Sequence, residues 1–109
     1  ANSCRVARHL EARVRAEPLF ELLAPASLNI VCFRYLPAGF ETEQADQLNA
    51  AIVVALHEAG VAAPSTTTVD GKLVIRAAIV NHRTGTADVD RLVDAVLEIG
   101  QRMAAQVAR

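Results

Sequence analysis

The chain has 109 residues and a formal net charge of −1, and 52% of its residues are hydrophobic while 21% are charged. We expect one small domain spanning residues 1–109, because this length is close to the usual domain size. The composition is too apolar for a disordered chain, and no uncharged run is long enough to span a membrane. The near-zero charge predicts no basic surface for nucleic acid.

The two cysteines, Cys4 and Cys32, form neither a CxxC pair nor a cluster with histidines. We therefore expect free thiols in a reducing compartment. The N-terminal residues lack the apolar segment of a secretory signal, so we expect a cytoplasmic protein. The first residue is alanine, which is what we expect of a processed start or of a piece of a longer protein.

The first third of the chain predicts one helix and two short strands. Apolar residues recur every four positions from Ser3 to Glu17, and Pro18 ends this helix because the residue before a proline is pushed out of the α region. Strands are predicted over Leu19–Leu23 and Leu28–Leu36, with Pro25 separating them. The second of these strands is rich in β-branched and aromatic residues.

The rest of the chain predicts two helices with a hairpin between them. The second helix is expected to have Thr42 as its N-cap. Ser65–Val69 and Lys72–Val80 are predicted strands, and Asp70-Gly71 between them is a strong signal for a hairpin turn. Thr86 is expected to cap the last helix. The apolar face of that helix consists of Val89, Leu92, Val93, Val96, Ile99 and Met103.

The element order is therefore α-β-β-α-β-β-α, without the regular alternation of strand and helix that builds a parallel sheet. We predict an α+β fold with a mainly antiparallel four-stranded sheet and helices packed on one of its faces. The sequence contains no internal repeat, low-complexity tract or interdomain linker.

Most patterns that indicate catalysis are missing. The five glycines occupy turns and helix ends rather than a phosphate-binding loop, and no GxSxG motif surrounds Ser65. The histidines are too widely spaced for a metal site, and the helix dipole explains acidic residues at the start of the last helix. The side chains set aside for these reasons are His9, His57, His82, Asp88, Asp90 and Asp94.

Two arginines, Arg34 and Arg76, each interrupt an apolar strand. An arginine stays charged, so each must reach a carboxylate, a phosphate or solvent. One interpretation is a cross-strand ion pair, for example between Arg34 and Glu21, or exposure at a sheet edge. The other is that Arg76 binds the carboxylate of a ligand, because its planar guanidinium suits bidentate contact. The residues alone leave both open.

Several segments, in order, resemble one known family. They are PLFELLAP (18–25), LNIVCFR (28–34), the Leu48-Asn49 pair, IRAAIVNHRT (75–84) and DVD (88–90). Together they resemble the C-terminal domain of the pyridoxal-phosphate-dependent group II amino-acid decarboxylases, which include aromatic-L-amino-acid, glutamate and diaminobutyrate decarboxylases. The resemblance runs from about Val6 to Gln101.

This resemblance implies the small C-terminal domain of an aspartate-aminotransferase-like fold, which closes over an active site built on a large domain of the same chain. It implies a homodimer and pyridoxal phosphate attached to a lysine of that large domain. The motif around that lysine is absent here, where Lys72 is the only lysine. We therefore expect no catalytic, cofactor-binding or metal-binding residue in this chain, and no activity of the chain alone.

By the same resemblance, Arg76 matches the family's arginine that pairs with the α-carboxylate of the amino-acid substrate. It would orient that carboxylate, while the bond-breaking chemistry would belong to the cofactor. Arg34 belongs to the family's Cys-Phe-Arg strand motif, for which we infer a structural role. Aromatic, acidic and diamino acids all remain candidate substrates.

Two other functions also fit this kind of fold. One is a free-standing regulatory module that binds an amino acid at Arg76. The other is a dimerisation domain without a ligand.

Overall fold

The computed structural model of the chain describes the backbone of residues 2–27, 30–60, 64–78 and 85–107, and within these ranges the side chains other than those of residues 2–4, 24–27 and 107. The elements are α1 (Asn2–Ala16), β1 (Phe20–Ser27), β2 (Ile30–Tyr35), α2 (Thr42–Ala59), β3 (Ser65–Val69), β4 (Lys72–Ala78) and α3 (Thr86–Val107). The predicted element order is confirmed. Of the helices described, none is long and apolar enough to cross a membrane.

The strands form one four-stranded sheet in the order β1-β2-β4-β3, and every neighbouring pair is antiparallel. All three helices pack against the sheet on one side. This arrangement confirms the predicted α+β class. Because β2 and β4 are the two inner strands, their side chains hold the most fixed positions in the sheet.

The structure corrects the prediction that Pro25 separates two strands. β1 runs from Phe20 through Pro25 to Ser27, and its register with β2 shifts between Leu22 and Ala24 and again between Ala24 and Ser27. β1 is an edge strand, and an edge or a bulge tolerates a proline because no ladder hydrogen bond from its nitrogen is needed. The prediction treated proline as a strand breaker and so ended β1 too early.

The two predicted N-caps are also displaced by one residue. Thr42 and Thr86 are the first residues of α2 and α3 rather than the residues before them. The N-cap of α2 is Glu41, whose backbone N–H donates to the side-chain oxygen of Gln44 at 3.0 Å. Gly85 is the residue immediately before the first residue of α3. A side chain of the first helical turn therefore satisfies the backbone at the N-cap of α2.

The Asp70-Gly71 hairpin is confirmed. Both residues have positive φ angles, 52° for Asp70 and 76° for Gly71, which is the backbone of a type I′ turn. The turn joins β3 directly to β4, with Val69 paired to Lys72. The predicted return strand is described as far as Ala78, and residues 79–80 lie outside the described part.

The core lies between the sheet and the helices. Alternate residues of β2 and β4 point into it, as the two-residue period of a strand requires. Gly100 of α3 lies under the ring of Tyr35, where a Cβ atom would come within 2.9 Å of two ring carbons. The buried core residues include Val6, Leu10, Val14, Val31, Phe33, Tyr35, Ile52, Leu56, Ile75, Ala77, Val89, Val93 and Val96.

Helix α2 completes the sheet at one end. The paired part of β2 and β4 stops at Phe33. Beyond it, the buried Asn49 accepts a hydrogen bond from the Tyr35 N–H and donates one to the Tyr35 carbonyl, both at 2.9 Å. Asp46 accepts from the Leu73 N–H at 2.9 Å. Two polar side chains of one helix thus bind backbone groups that the sheet leaves free.

Candidate functional site

The face of the sheet that points away from the helices carries the charged residues of interest. We call it the outer sheet face and define it by Glu21, Cys32, Arg34, Val74 and Arg76. Its strand register places Glu21 directly opposite Arg34, and Cys32 directly opposite Arg76. Both arginines singled out in the sequence therefore lie on one face, on neighbouring inner strands.

Arg34 has a partner within the chain. It is buried, at 4% exposure, and its Nε donates to Oε1 of Glu21 across the β1–β2 pair at 2.7 Å. Its Nη1 is also buried and has no hydrogen-bond acceptor within the described residues. The interpretation of Arg34 as one half of a cross-strand ion pair is thus confirmed.

Arg76 is different, because it is only half-buried and its guanidinium forms no ion pair with any carboxylate whose side chain is described. It lies in the inner strand β4, between Cys32 of β2 and Ser65 of β3. Backbone pairing on both sides holds this position. A cation held this way, with its donors unused by those carboxylates, can bind an anion from outside the chain.

The charge of Arg76 acts on the neighbouring strand. Cys32 is a free, half-buried thiol opposite Arg76. Burial raises the pKa of the Cys32 thiol, and the positive charge of Arg76 opposes part of that rise. The thiol therefore stays protonated at neutral pH and adds no negative charge beside Arg76. The side chain of Cys4 lies outside the described part.

The histidines have local partners rather than a shared ligand. His9 Nε2 lies 2.8 Å from Oδ1 of Asp90, and His57 Nε2 lies 2.6 Å from the carbonyl of Pro64. His82 lies outside the described part. Within the residues that are described, no group of three or more His, Cys, Asp or Glu side chains could hold a metal ion.

The acidic residues at the start of α3 are also accounted for. Asp88 accepts a hydrogen bond from the Gly85 N–H at 3.0 Å. Arg13 of α1 donates to Asp90 at 2.6 Å and to Asp94 at 3.0 Å. Asp88 thus satisfies the start of its own helix, while Asp90 and Asp94 join α3 to α1 on the side of the sheet away from Arg76. None of the three lies at the outer sheet face.

The residues described do not fit a covalent site for pyridoxal phosphate. Lys72 is the only lysine of the chain, and it is the first residue of β4 beside the Asp70-Gly71 turn. It is paired to Val69 across the β3–β4 ladder. The family's cofactor lysine therefore has no counterpart at Lys72.

Asn49 is the residue whose role sequence reasoning missed. The resemblance included the Leu48-Asn49 pair without assigning it a role. A polar residue among the apolar positions of α2 was the available signal, because a buried amide must find hydrogen-bond partners. Its partners are the backbone of Tyr35, at the end of the strand that carries Cys32 and Arg34.

Three curated relatives share about a third of their aligned residues with this chain. It is 32% identical to phenylacetaldehyde synthase of Arabidopsis thaliana over 72% of its own length and 16% of that protein's. It is 34% identical to aromatic-L-amino-acid decarboxylase of Bacillus atrophaeus over 77% of its length and 18% of that protein's. The third relative is L-2,4-diaminobutyrate decarboxylase of Rhizobium meliloti, at 32% over 88% of this chain and 19% of that protein.

A solved structure shows the same fold. The crystal structure of Oryza sativa TDC with PLP and tryptamine superimposes on 94% of this chain with a TM-score of 0.84 and 26% identity. The match covers 22% of that protein's chain. No protein-family model matches. The chain is therefore a homologue of a small part of the group II pyridoxal-phosphate-dependent amino-acid decarboxylases, the family that its motifs resemble.

Proposed function

We propose that residues 1–109 are the C-terminal domain of a larger pyridoxal-phosphate-dependent amino-acid decarboxylase, and that Arg76 binds the α-carboxylate of its substrate. The observation that carries this proposal is the state of Arg76. It is a half-buried guanidinium on the outer sheet face with no carboxylate partner among the described side chains. It also lies in the segment whose motif matches the family.

The chemistry of Arg76 suits this role. A guanidinium is charged at all physiological pH values, and its planar donors match the two oxygens of a carboxylate. Partial burial strengthens such a contact because fewer water molecules compete for it. An inner strand fixes the donors in place, so the contribution of Arg76 is orientation of the carboxylate as well as attraction.

The remaining tasks would fall to the rest of the parent protein. We propose that its large domain binds pyridoxal phosphate, which would supply the electron sink for decarboxylation. This domain would close over that site with its outer sheet face inward, in a cytoplasmic homodimer. The chain alone would then be inactive, because Lys72 is unsuited to hold the cofactor.

The test is made on the natural gene product. We expect a protein several times heavier than this chain, with the visible absorbance of bound pyridoxal phosphate and release of CO₂ from an amino acid. A natural product of 109 residues that binds an amino acid would instead support the regulatory module. A product of that size that forms dimers and binds no amino acid would support the dimerisation domain.

A further inference from the structure

The outer sheet face carries two arginines on neighbouring strands. Arg34 and Cys32 are two residues apart on β2 and so share a face, and Cys32 lies directly opposite Arg76 on β4. Arg34 and Arg76 therefore occupy diagonal positions on neighbouring strands, which long side chains can bridge. Without a further charge, both guanidinium groups could contact one ligand.

Glu21 changes this, because it binds only one of the two. It lies opposite Arg34 on β1, and its Oε1 accepts from Arg34 Nε at 2.7 Å. In the order β1-β2-β4-β3, β1 and β4 lie on opposite sides of β2. The ion pair thus draws the Arg34 guanidinium towards β1 and away from Arg76. In agreement, burial raises the pKa of the Cys32 thiol, and the positive charge that opposes part of this rise is that of Arg76.

We infer that Glu21 is a specificity-determining residue: by holding Arg34 on the β1 side, it limits the outer sheet face to one available guanidinium, Arg76. The site then takes one carboxylate of a ligand rather than two. This inference rests on the proposed function of Arg76 and adds the ligand class, because it favours amino acids whose side chain is not a second carboxylate.

Removing Glu21 and removing Arg34 should change the binding of a second carboxylate in opposite directions. Without Glu21, Arg34 loses its counter-charge while its Nη1 already lacks an acceptor among the described residues. A buried unpaired charge is costly, so Arg34 then binds a second carboxylate. Without Arg34, the half-exposed Glu21 keeps its negative charge beside the site and repels a second carboxylate.

The experiment measures binding of two five-carbon acids, valerate with one carboxylate and glutarate with two, to the complete natural protein by titration calorimetry. We expect Glu21→Gln to raise the affinity for glutarate relative to valerate by about three- to fivefold, the size of one partly exposed ion pair. Arg34→Met should lower that ratio by a similar factor. The double variant, Glu21→Gln with Arg34→Met, should return it to the wild-type value.

The inference is overturned if the ratio of glutarate affinity to valerate affinity is the same in Arg34→Met as in the wild type. It is also overturned if a folded Glu21→Gln variant keeps the wild-type ratio. If Glu21→Gln fails to fold, Arg34→Met and the double variant still decide the question. Arg76→Gln separates this inference from the proposed function. If Arg76→Gln leaves the binding of both acids unchanged, the role of Arg76 is wrong. If Arg76→Gln abolishes binding of both acids while the Glu21 and Arg34 variants keep the wild-type affinity ratio, only the inference about Glu21 fails.

Discussion

Asn49 shows how one buried amide can fix the relation between a helix and a sheet. Its side chain makes three hydrogen bonds, two to the backbone of Tyr35 and one to the carbonyl of Ala45. It is fully buried, so water cannot replace these partners. The position of α2 over the end of β2 therefore depends on a polar side chain as well as on apolar packing.

Asn49→Leu should destabilise the chain by about 2–4 kcal/mol, because it leaves two buried backbone groups of Tyr35 without partners. The measurement is the free energy of unfolding in urea. Asp46→Ala is the matched control, since it removes one half-buried hydrogen bond from the same helix to the same sheet. It should cost about 1 kcal/mol. Equal losses for the two variants would contradict the role given to Asn49.

The two arginines mark the limit of what residue patterns predict. Both interrupt apolar strands, and the residues alone left open a cross-strand ion pair, exposure at a sheet edge, and, for Arg76, a ligand carboxylate. The structure separates them through register, because Glu21 faces Arg34 while Arg76 faces Cys32 and Ser65. Register in β1 depends on irregularities around Ala24, and no pattern of residue types predicts these.

At the scale of elements, the strongest sequence signals were the long apolar stripes and the hairpin turn. α1 and α3 have regular stripes, and Asp70-Gly71 has the residues that a type I′ turn requires, so these elements were predicted well. β1 was predicted poorly, because the tolerance for Pro25 comes from the edge position of the strand. Whether a strand lies at the edge depends on the order of the strands in the sheet, and the eight residues of β1 alone do not predict that order.

Gly71→Ala tests the hairpin. Nothing lies within 4 Å of a Cβ placed at Gly71, so the substitution acts through the positive φ angle alone. It should destabilise the chain by about 1–2 kcal/mol. Gly71→Asn is the matched comparison, since asparagine enters this region more easily, and it should cost less than about 1 kcal/mol. Urea unfolding checks both, and a larger loss for asparagine would argue against the assigned turn.

The contact between α1 and α3 predicts a loss of stability in acid. Hydrogen bonds from His9 and then Arg13 lower the pKa of Asp90 below its ordinary value of 3.8. Because the folded state favours the ionised carboxylate, its stabilisation is present above the unfolded pKa. It is lost as the pH falls through the lower, folded-state pKa.

Asp90→Asn should therefore flatten part of the decline in unfolding free energy between about pH 5 and pH 2. Glu58→Gln is the control, because Glu58 is an exposed residue of α2, and it should leave the decline as it is in the wild type. The check is a series of urea unfolding curves across this pH range. An Asp90→Asn variant with the wild-type slope would rule out a stabilising role for this carboxylate.

At the scale of the whole molecule, the layered arrangement explains where function can lie. Three helices cover one face of the sheet, and Arg76, which pairs with none of the carboxylates whose side chains are described, lies on the opposite face. The periodicity of apolar residues predicted that helices pack on one face of the sheet, because it indicates which side of each helix and strand is buried. It could not predict that Asn49 of α2 binds the backbone of Tyr35 beyond the end of the β2–β4 pairing. That contact depends on how distant segments of the chain pack together.

The central claim is that Arg76 holds the substrate's α-carboxylate. The most direct test compares Arg76→Lys with wild type in the proposed parent decarboxylase, using the amino acid that it would decarboxylate and the corresponding amine. The amine lacks the carboxylate, so it is a ligand matched in every other group. We predict that binding of the amino acid weakens about tenfold or more, because lysine cannot form the bidentate contact, while binding of the amine stays unchanged. Equal effects on both ligands, or an unchanged affinity for the amino acid, would contradict the account.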